Sequence, residues 1–410
     1  MHRVLFALLF ASTASAADWP EFRGPNGTGL YDGPKLVTEF GPAKNLAWST
    51  PIPGKGWSSP IVVKGKIYLT TAVPTDGGQS LRVLAIDAKT GAIDWNKEFI
   101  SVDAATAGRQ HGKNTYASAT PVSDGARLFV HFGHMGTACY DFAGNLVWKR
   151  TDYKYAPVHG TGGSPILVGD TLVFSVDGAD KQFVCALDKK TGDEKWKSDR
   201  QSKASKRFSF TTPQVIRSSG RDVIVSTASD FVAAYDPASG AEIWRAKYPA
   251  GGYSLIARPV VVAGKLIVQT GYDTAHLFAL DPSGSGDISD KIAWDSKKGA
   301  PHTPSPIGTG DEVYTVTDAG FLTCFDAKAG TIHWSERLAG KGYSCSPIIA
   351  NGLLYIASED GVCSVVEASK TGFKLIAKSE LKEKTFATFA PVDGALFIRT
   401  ESKLYRFEGK

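Results

Sequence analysis

The stretch Ala85-Ile86-Asp87-Ala88-Lys89-Thr90-Gly91-Ala92-Ile93-Asp94-Trp95 has the form A-x-D-x-x-x-G-x-x-x-W. The same spacing returns at Ala186/Asp188/Gly192/Trp196, at Ala234/Asp236/Gly240/Trp244 and, with cysteine for alanine, at Cys324/Asp326/Gly330/Trp334. Asp141/Gly144/Trp148 is one residue short, and the copy from Asp281 to Trp294 carries an insertion over 283–290. A seventh copy, Glu367/Gly372, ends in Ile376 where tryptophan belongs. Each copy reads as two strands joined by a tight turn, with glycine supplying positive φ and the aromatic suiting a pleated surface. Self-similarity at fixed spacing marks a repeat architecture.

A second marker sets the period. A small residue followed closely by proline opens a strand ahead of each copy, and the prolines are Pro60, Pro121, Pro165, Pro213, Pro259, Pro306, Pro347 and Pro391. A repeat of about 45 residues holding four short strands is one blade of a β-propeller. In the sixth unit the strands read as 305–307, 312–317, 320–326 and 331–336. The eighth unit supplies Lys403-Leu404-Tyr405-Arg406-Phe407-Glu408 but no fourth strand, while Asn45-Leu46-Ala47-Trp48-Ser49-Thr50 holds a repeat tryptophan without the strands that precede it. Each end lacks what the other has. The expected fold is therefore all-β, an eight-bladed β-propeller of four-stranded antiparallel blades. Its ring is closed by an N-terminal strand pairing with the C-terminal blade, which leaves no open edge. On this reading 44–410 is the propeller, 18–43 an N-terminal arm and 1–17 a signal peptide. Trp48, Trp95, Trp148, Trp196, Trp244, Trp294 and Trp334 read as structural, packing blade on blade, each burying on the order of 150–250 Å².

The front of the chain has a positive start at Met1-His2-Arg3, an apolar run over 4–11, and small residues through Ala14 and Ala16, the pattern of a secretory signal. The apolar run is too short to span a bilayer, which takes about 20 residues. No cysteine follows the cleavage region to carry a lipid. The expectation is a soluble periplasmic or secreted protein, monomeric, without a lipid anchor or a membrane span. The five cysteines, Cys139, Cys185, Cys324, Cys345 and Cys363, are neither adjacent nor in Cys-x-x-Cys spacing. They read as buried free thiols acting as small hydrophobes, and no metal site is expected. His131 and His134, three apart on a strand, point to opposite faces and make no metal pair. The net charge of +5 is too small for a nucleic-acid partner. No phosphate loop, nucleophile elbow or paired-carboxylate signature is present, and no catalytic residue is assigned.

The repeats resemble those of the pyrroloquinoline-quinone (PQQ) repeat propellers, a family that includes quinoprotein dehydrogenases and the outer-membrane protein assembly factor. The resemblance spans the mature chain. Closest is a group of exported propellers that open with a motif like Asp18-Trp19-Pro20-Glu21-Phe22-Arg23-Gly24-Pro25-Asn26-Gly27-Thr28-Gly29. They also carry stretches like Gly56-Trp57-Ser58-Ser59-Pro60, Gly160-Thr161-Gly162-Gly163-Ser164-Pro165 and Gly271-Tyr272-Asp273. Two departures from the named relatives stand out. The adjacent cysteine pair usual over the dehydrogenase cofactor is absent, and so is the lipid-bearing cysteine usual in the assembly factor.

In a propeller, the links from each outermost strand to the next innermost strand ring one mouth of the central channel. Basic residues in those links outnumber acidic ones by more than two to one, and aromatics and histidines share them. Cationic and aromatic groups around a concave mouth suit an anionic or amphipathic partner. The expected ligand- or partner-binding set on this funnel face is Lys55, Trp57, Arg109, His111, Tyr116, His159, Arg207, Phe208, Tyr253, Arg258, His302, Lys341 and Tyr343. The expected function is a non-catalytic exported scaffold that binds an envelope protein or an anionic or polysaccharide polymer through the funnel face or blade edges. The alternative is a PQQ-dependent dehydrogenase with an atypical site, which would take PQQ with Ca²⁺; no cofactor is expected on the first reading.

Overall fold

A computed structural model of the protein describes residues 18–273 and 275–409. Segment 1–17, expected to be a signal peptide, lies outside the described residues. Eight antiparallel sheets follow one another along the chain, each with a core of four strands. Blade 1 is built from Ile61–Val63, Lys66–Thr75, Gly78–Asp87 and Ile93–Asp103, and its long outer strands account for the wide first interval between prolines. Blade 6 is Ile307–Thr309, Glu312–Val316, Phe321–Asp326 and Ile332–Arg337. Blade 8 takes Ala390–Val392, Ala395–Arg399 and Lys403–Phe407 from the C-terminus and Leu46–Pro51 from the front of the chain. The closing pair is antiparallel, with Trp48 opposite Arg406 and Thr50 opposite Leu404. The ring is closed as the orphan strands required. Among the described residues no helix is long and apolar enough to cross a membrane.

The repeat motif is an interblade latch, and each of its letters has a physical task. The aspartate carboxylate accepts the backbone N–H groups two and three residues on, as Asp236 does from Ala238 (3.0 Å) and Ser239 (2.9 Å), fixing the turn. The glycine of that turn has positive φ, and a Cβ on Gly240 would lie 2.4 Å from the Trp196 ring of the preceding blade. Glycine thus answers two demands at once, backbone conformation and close approach. The tryptophan completes the latch: Trp196 Nε1 donates to Pro237 O (3.0 Å), and Trp48, Trp148 and Trp294 do the same to Ala88, Lys189 and Ala327 of the following blade. Trp95 and Trp334 donate to Phe142 O and Ser369 O. Trp244 differs. It is fully buried and its Nε1 has no partner, because the 283–290 insertion lays Gly286–Asp287 along it as a fifth, parallel strand.

Residues 18–31 run against innermost strands of the ring. Trp19 exchanges backbone hydrogen bonds with Val62 of the innermost strand of blade 1 (2.8 and 2.9 Å), and Pro20 O accepts from Ser123 of blade 2. Leu30–Tyr31 pairs in parallel with Ile349 and Ala350 of blade 7. Phe40 then wedges between blades 7 and 8, 6.3 Å from the Phe389 ring and 5.2 Å from Phe407, with its N–H bonded to Ser379 Oγ. This is the junction that lacks a repeat tryptophan. The register puts Ala377, not the expected Ile376, opposite Val365 where the other blades place tryptophan, because Ile376 is an exposed bulge residue, and Phe40 shares the core cluster with Ala377. Val37 packs beside it in the same core cluster.

Candidate functional site

The links between blades and the second hairpin of each blade share one face. On that face opens a cavity of about 830 Å³, well within the range of ligand pockets. All eight links reach it, through Trp57, His111, His159, Phe208, Tyr253, His302, Ser344 and Phe386 in turn. Ten of its lining residues are aromatic or histidine. Trp57 and Phe386 form one plate with ring centres 4.6 Å apart. Across from them an arc of rings runs His111–His159 (5.5 Å), His159–Phe208 (5.3 Å), Phe208–Tyr253 (5.5 Å), Tyr253–Tyr272 (6.4 Å) and Tyr272–His302 (5.8 Å). Tyr272 is 62% exposed, so its ring is offered to solvent rather than spent on the core.

Below the rings lies a circle of hydroxyls. The residue that opens each innermost strand donates its backbone N–H to the side-chain oxygen of its counterpart on the next blade. Ser59 donates to Thr120 (3.0 Å), Thr120 to Ser164 (2.9 Å) and Ser164 to Thr212 (3.0 Å). Beyond blade 5, Arg258 donates to Ser305 (3.0 Å), Ser305 to Ser346 (3.0 Å), Ser346 to Thr388 (3.2 Å) and Thr388 back to Ser59 (3.0 Å). All seven hydroxyl residues line the cavity. The succession is interrupted only at Thr212, where the next position holds Arg258 instead of a hydroxyl.

Arg258 uses its side chain otherwise. It is 2% exposed, and its guanidinium donates to Pro213 O (3.1 Å), Phe22 O (2.8 Å) and Glu21 Oε2 (3.0 Å). The arm is thereby pinned to the inner wall, and Phe22 becomes part of the cavity floor. Burial pushes the Glu21 carboxyl above its ordinary value, with Arg258 opposing. Arg23 beside it is fully buried and held down to about 9 by burial and by the like charge of Arg258.

Charge at the mouth is sparse and mostly committed. Lys113 bonds Glu359 of blade 7 (2.7 Å), and with His111 N bonded to His159 O this straps the link after blade 1 across the opening. Lys206 Nζ lies 2.7 Å from the Tyr253 hydroxyl and 4.1 Å from the ring centre. Asp318, a carboxylate in the lining, accepts from His302 N and Thr303 Oγ1, both at 2.7 Å. Burial opposes it, yet these bonds hold the Asp318 carboxyl below its ordinary value, and the bond to Asp318 raises the His302 imidazole. His159 is shifted down by burial and by His111.

Of the thirteen side chains expected on the funnel face, the cavity brings together Trp57, His111, His159, Phe208, Tyr253 and His302. Lys55, Arg109, Arg207 and Lys341 are exposed on the links but outside the cavity wall. Tyr116 is half-buried and donates its hydroxyl to Gly108 O (2.9 Å). Tyr343 is buried in the blade core with its hydroxyl bonded to Ala339 O, and Arg258 is buried under the arm; neither faces a ligand. Sequence reasoning did not assign Phe22, Tyr272 or the hydroxyl circle. The circle had a signal, the serine or threonine just before Pro60, Pro121, Pro165, Pro213, Pro306 and Pro347.

A quinone centre was tested against these residues. Ca²⁺ takes six to eight oxygen ligands, several of them carboxylates. Among the described residues no group of three or more His, Cys, Asp or Glu is placed to hold a metal, and Asp318 is already engaged. The five cysteines are buried and free, and none lines the cavity. Burial raises all of their thiols, Cys139, Cys324 and Cys345 to about 12. The buried arginines are spent elsewhere, Arg200 on Asp177 (2.6 Å) and Arg399 on Ser58 (2.6 Å). The donor set does not fit a quinone–cation centre.

An eight-bladed ring with a donor-rich, aromatic-rimmed mouth defines a repeat propeller. The family model described as outer membrane protein assembly factor BamB matches residues 31–120, 100–286 and 273–375, and the chain belongs to this PQQ-repeat propeller family. No curated protein matches by sequence. Among solved structures, BamB from Moraxella catarrhalis is similar with a TM-score of 0.61 at 12% identity, over 89% of this chain and 99% of that one. A europium-containing methanol dehydrogenase gives 0.67 at 13% identity over 96% and 98%. The computationally designed Ika8 protein gives 0.59 at 11% over 87% and 100%. An assembly factor, an enzyme and a designed chain share this shape, so the likeness speaks for the fold alone.

Proposed function

We propose that the protein is a non-catalytic exported scaffold that receives an envelope protein or polymer in its funnel mouth. The carrying observation is the cavity wall itself: rings from seven of the eight links surround a floor of hydroxyls, and the lining carboxylate Asp318 is held by His302 and Thr303. Such a wall offers stacking surface and hydrogen-bond donors, the means of holding a ligand. The BamB-type family model supports a binding role, and the leader pattern over 1–17 supports export to the periplasm or beyond.

The test is reconstitution. Purified protein is incubated with PQQ and Ca²⁺, the bound quinone is measured, and dye-linked oxidation of alcohols and sugars is followed. The scaffold reading expects no stoichiometric uptake and no turnover. One quinone per chain with turnover would establish the dehydrogenase reading in its place.

A further inference from the structure

The hydroxyl circle is more than a structural seam, because of what its oxygens have left to give. Ser59, Thr120, Ser164, Thr212, Ser305 and Ser346 each accept a backbone N–H from the preceding blade, and among the described residues none of them donates to a protein group. A hydroxyl has one donor and two acceptor sites. With an acceptor site filled by an N–H, each O–H is polarised as a donor. The oxygens are pinned by backbone bonds at 2.9–3.0 Å, so the donors are arranged before a ligand arrives. Phe22 stands in the same lining as these hydroxyls.

We infer that the funnel holds the end of an acidic oligosaccharide, with a sugar carboxylate and its neighbouring oxygens seated on the hydroxyl circle and the sugar faces stacked on the aromatic wall. This rests on the funnel mouth being the binding face. Four features favour that ligand class. The floor presents many donors, while Asp318 in the lining is already held, so ligand acceptors are matched and ligand cations are not. The wall carries flat rings with polar edges, Trp57, Tyr253, Tyr272, His159 and His302, beside the apolar rings of Phe208, Phe210 and Phe386, and together they meet the C–H faces and the hydroxyls of a sugar. The lining holds a lysine ammonium, Lys206, beside the Tyr253 hydroxyl at 2.7 Å. Phe22 of the arm stands in the same lining, a further flat ring for a sugar face. A cavity of about 830 Å³ admits a ligand of drug size, roughly two or three sugar rings.

The test uses isothermal titration calorimetry on the full-length protein with trigalacturonate, the neutral trisaccharide of the same linkage, and an acidic hexapeptide. Trigalacturonate should bind with one site per chain, and the neutral sugar about tenfold more weakly, since hydrogen bonds to a charged group are the stronger ones. Tyr272→Ala changes a ring that is mostly in solvent and should leave the fold intact while weakening trigalacturonate about tenfold or more, the loss of a stacking contact. Lys206→Ala should weaken the acid and not the neutral sugar. Equal affinity for the two sugars, tighter binding of the peptide, or an unchanged affinity in Tyr272→Ala would each overturn the inference. Its failure is distinguishable from failure of the scaffold reading: quinone uptake with turnover removes the latter whatever the sugars do.

Discussion

Replacing Arg258 by methionine should loosen the arm from the channel, and the structure sets the size of the effect. The guanidinium makes three side-chain hydrogen bonds, to Pro213, Phe22 and Glu21, at 2% exposure, so methionine keeps most of the volume and loses all three. Breaking a buried ion pair by removing one partner costs about 3–5 kcal/mol. Glu21 escapes part of that by taking up a proton, since burial already raises its carboxyl, which points to the lower end, about 3 kcal/mol. At about 2.1 cal/mol/K per residue, a fold of roughly 400 residues has an unfolding entropy of about 0.8 kcal/mol/K, so Tm should fall by about 4 °C. Thermal unfolding of wild type, Arg258→Met, Glu21→Gln and the double variant by near-ultraviolet circular dichroism gives the coupling, expected near 2 kcal/mol. The pH dependence has a definite sign. Folded Glu21 keeps its proton to higher pH than the unfolded chain does, so it withdraws stability as pH rises from its ordinary 4.5 through the folded value. Arg258 limits that withdrawal, and Arg258→Met should steepen it. Singles that add within about 0.5 kcal/mol, with no change in pH slope, would refute the pinning of the arm.

Three further outcomes are expected. Trp196→Ala should destabilise by about 3–5 kcal/mol, and Gly240→Ala, strained at φ 72° and pressed against the same ring, by about 2–3 kcal/mol, both read as loss in Tm. The His302 ring, followed by NMR, should titrate above its ordinary 6.5, and Asp318→Asn should bring it back down; any stability this pair adds is full below 6.5 and is lost as pH rises through the folded value. The five buried thiols, all raised by burial, should resist iodoacetamide in the native protein and react on unfolding.

The fold was legible because the latch is local. Asp188, Gly192 and Trp196 serve three different contacts, yet all lie within nine residues of chain, so the spacing survives even where the partners belong to other blades. Ring closure was legible for a related reason: the half-blade around Trp48 and the half-blade at Leu404 are each incomplete alone. The site was legible only in part. Counting Arg258 and Tyr343 as funnel residues assumed that every side chain in a link is exposed, whereas Arg258 turns inward to meet Glu21 and Tyr343 turns into its blade core. The arm has no periodicity to read, and its role depends on contacts more than two hundred residues away, such as Phe22 with Arg258. Serine and threonine before the prolines looked like small strand-openers because their pairing runs around the ring rather than along the chain.

The central claim is that the mouth binds and that its aromatic wall does the binding. Wild-type protein and the Tyr253→Ala/Tyr272→Ala variant, immobilised side by side, should be challenged with the native envelope fraction and the retained material compared. The account predicts a partner or polymer held by the wild type and lost from a variant whose melting is unchanged. Equal retention by both would place the binding surface elsewhere on the molecule and contradict it.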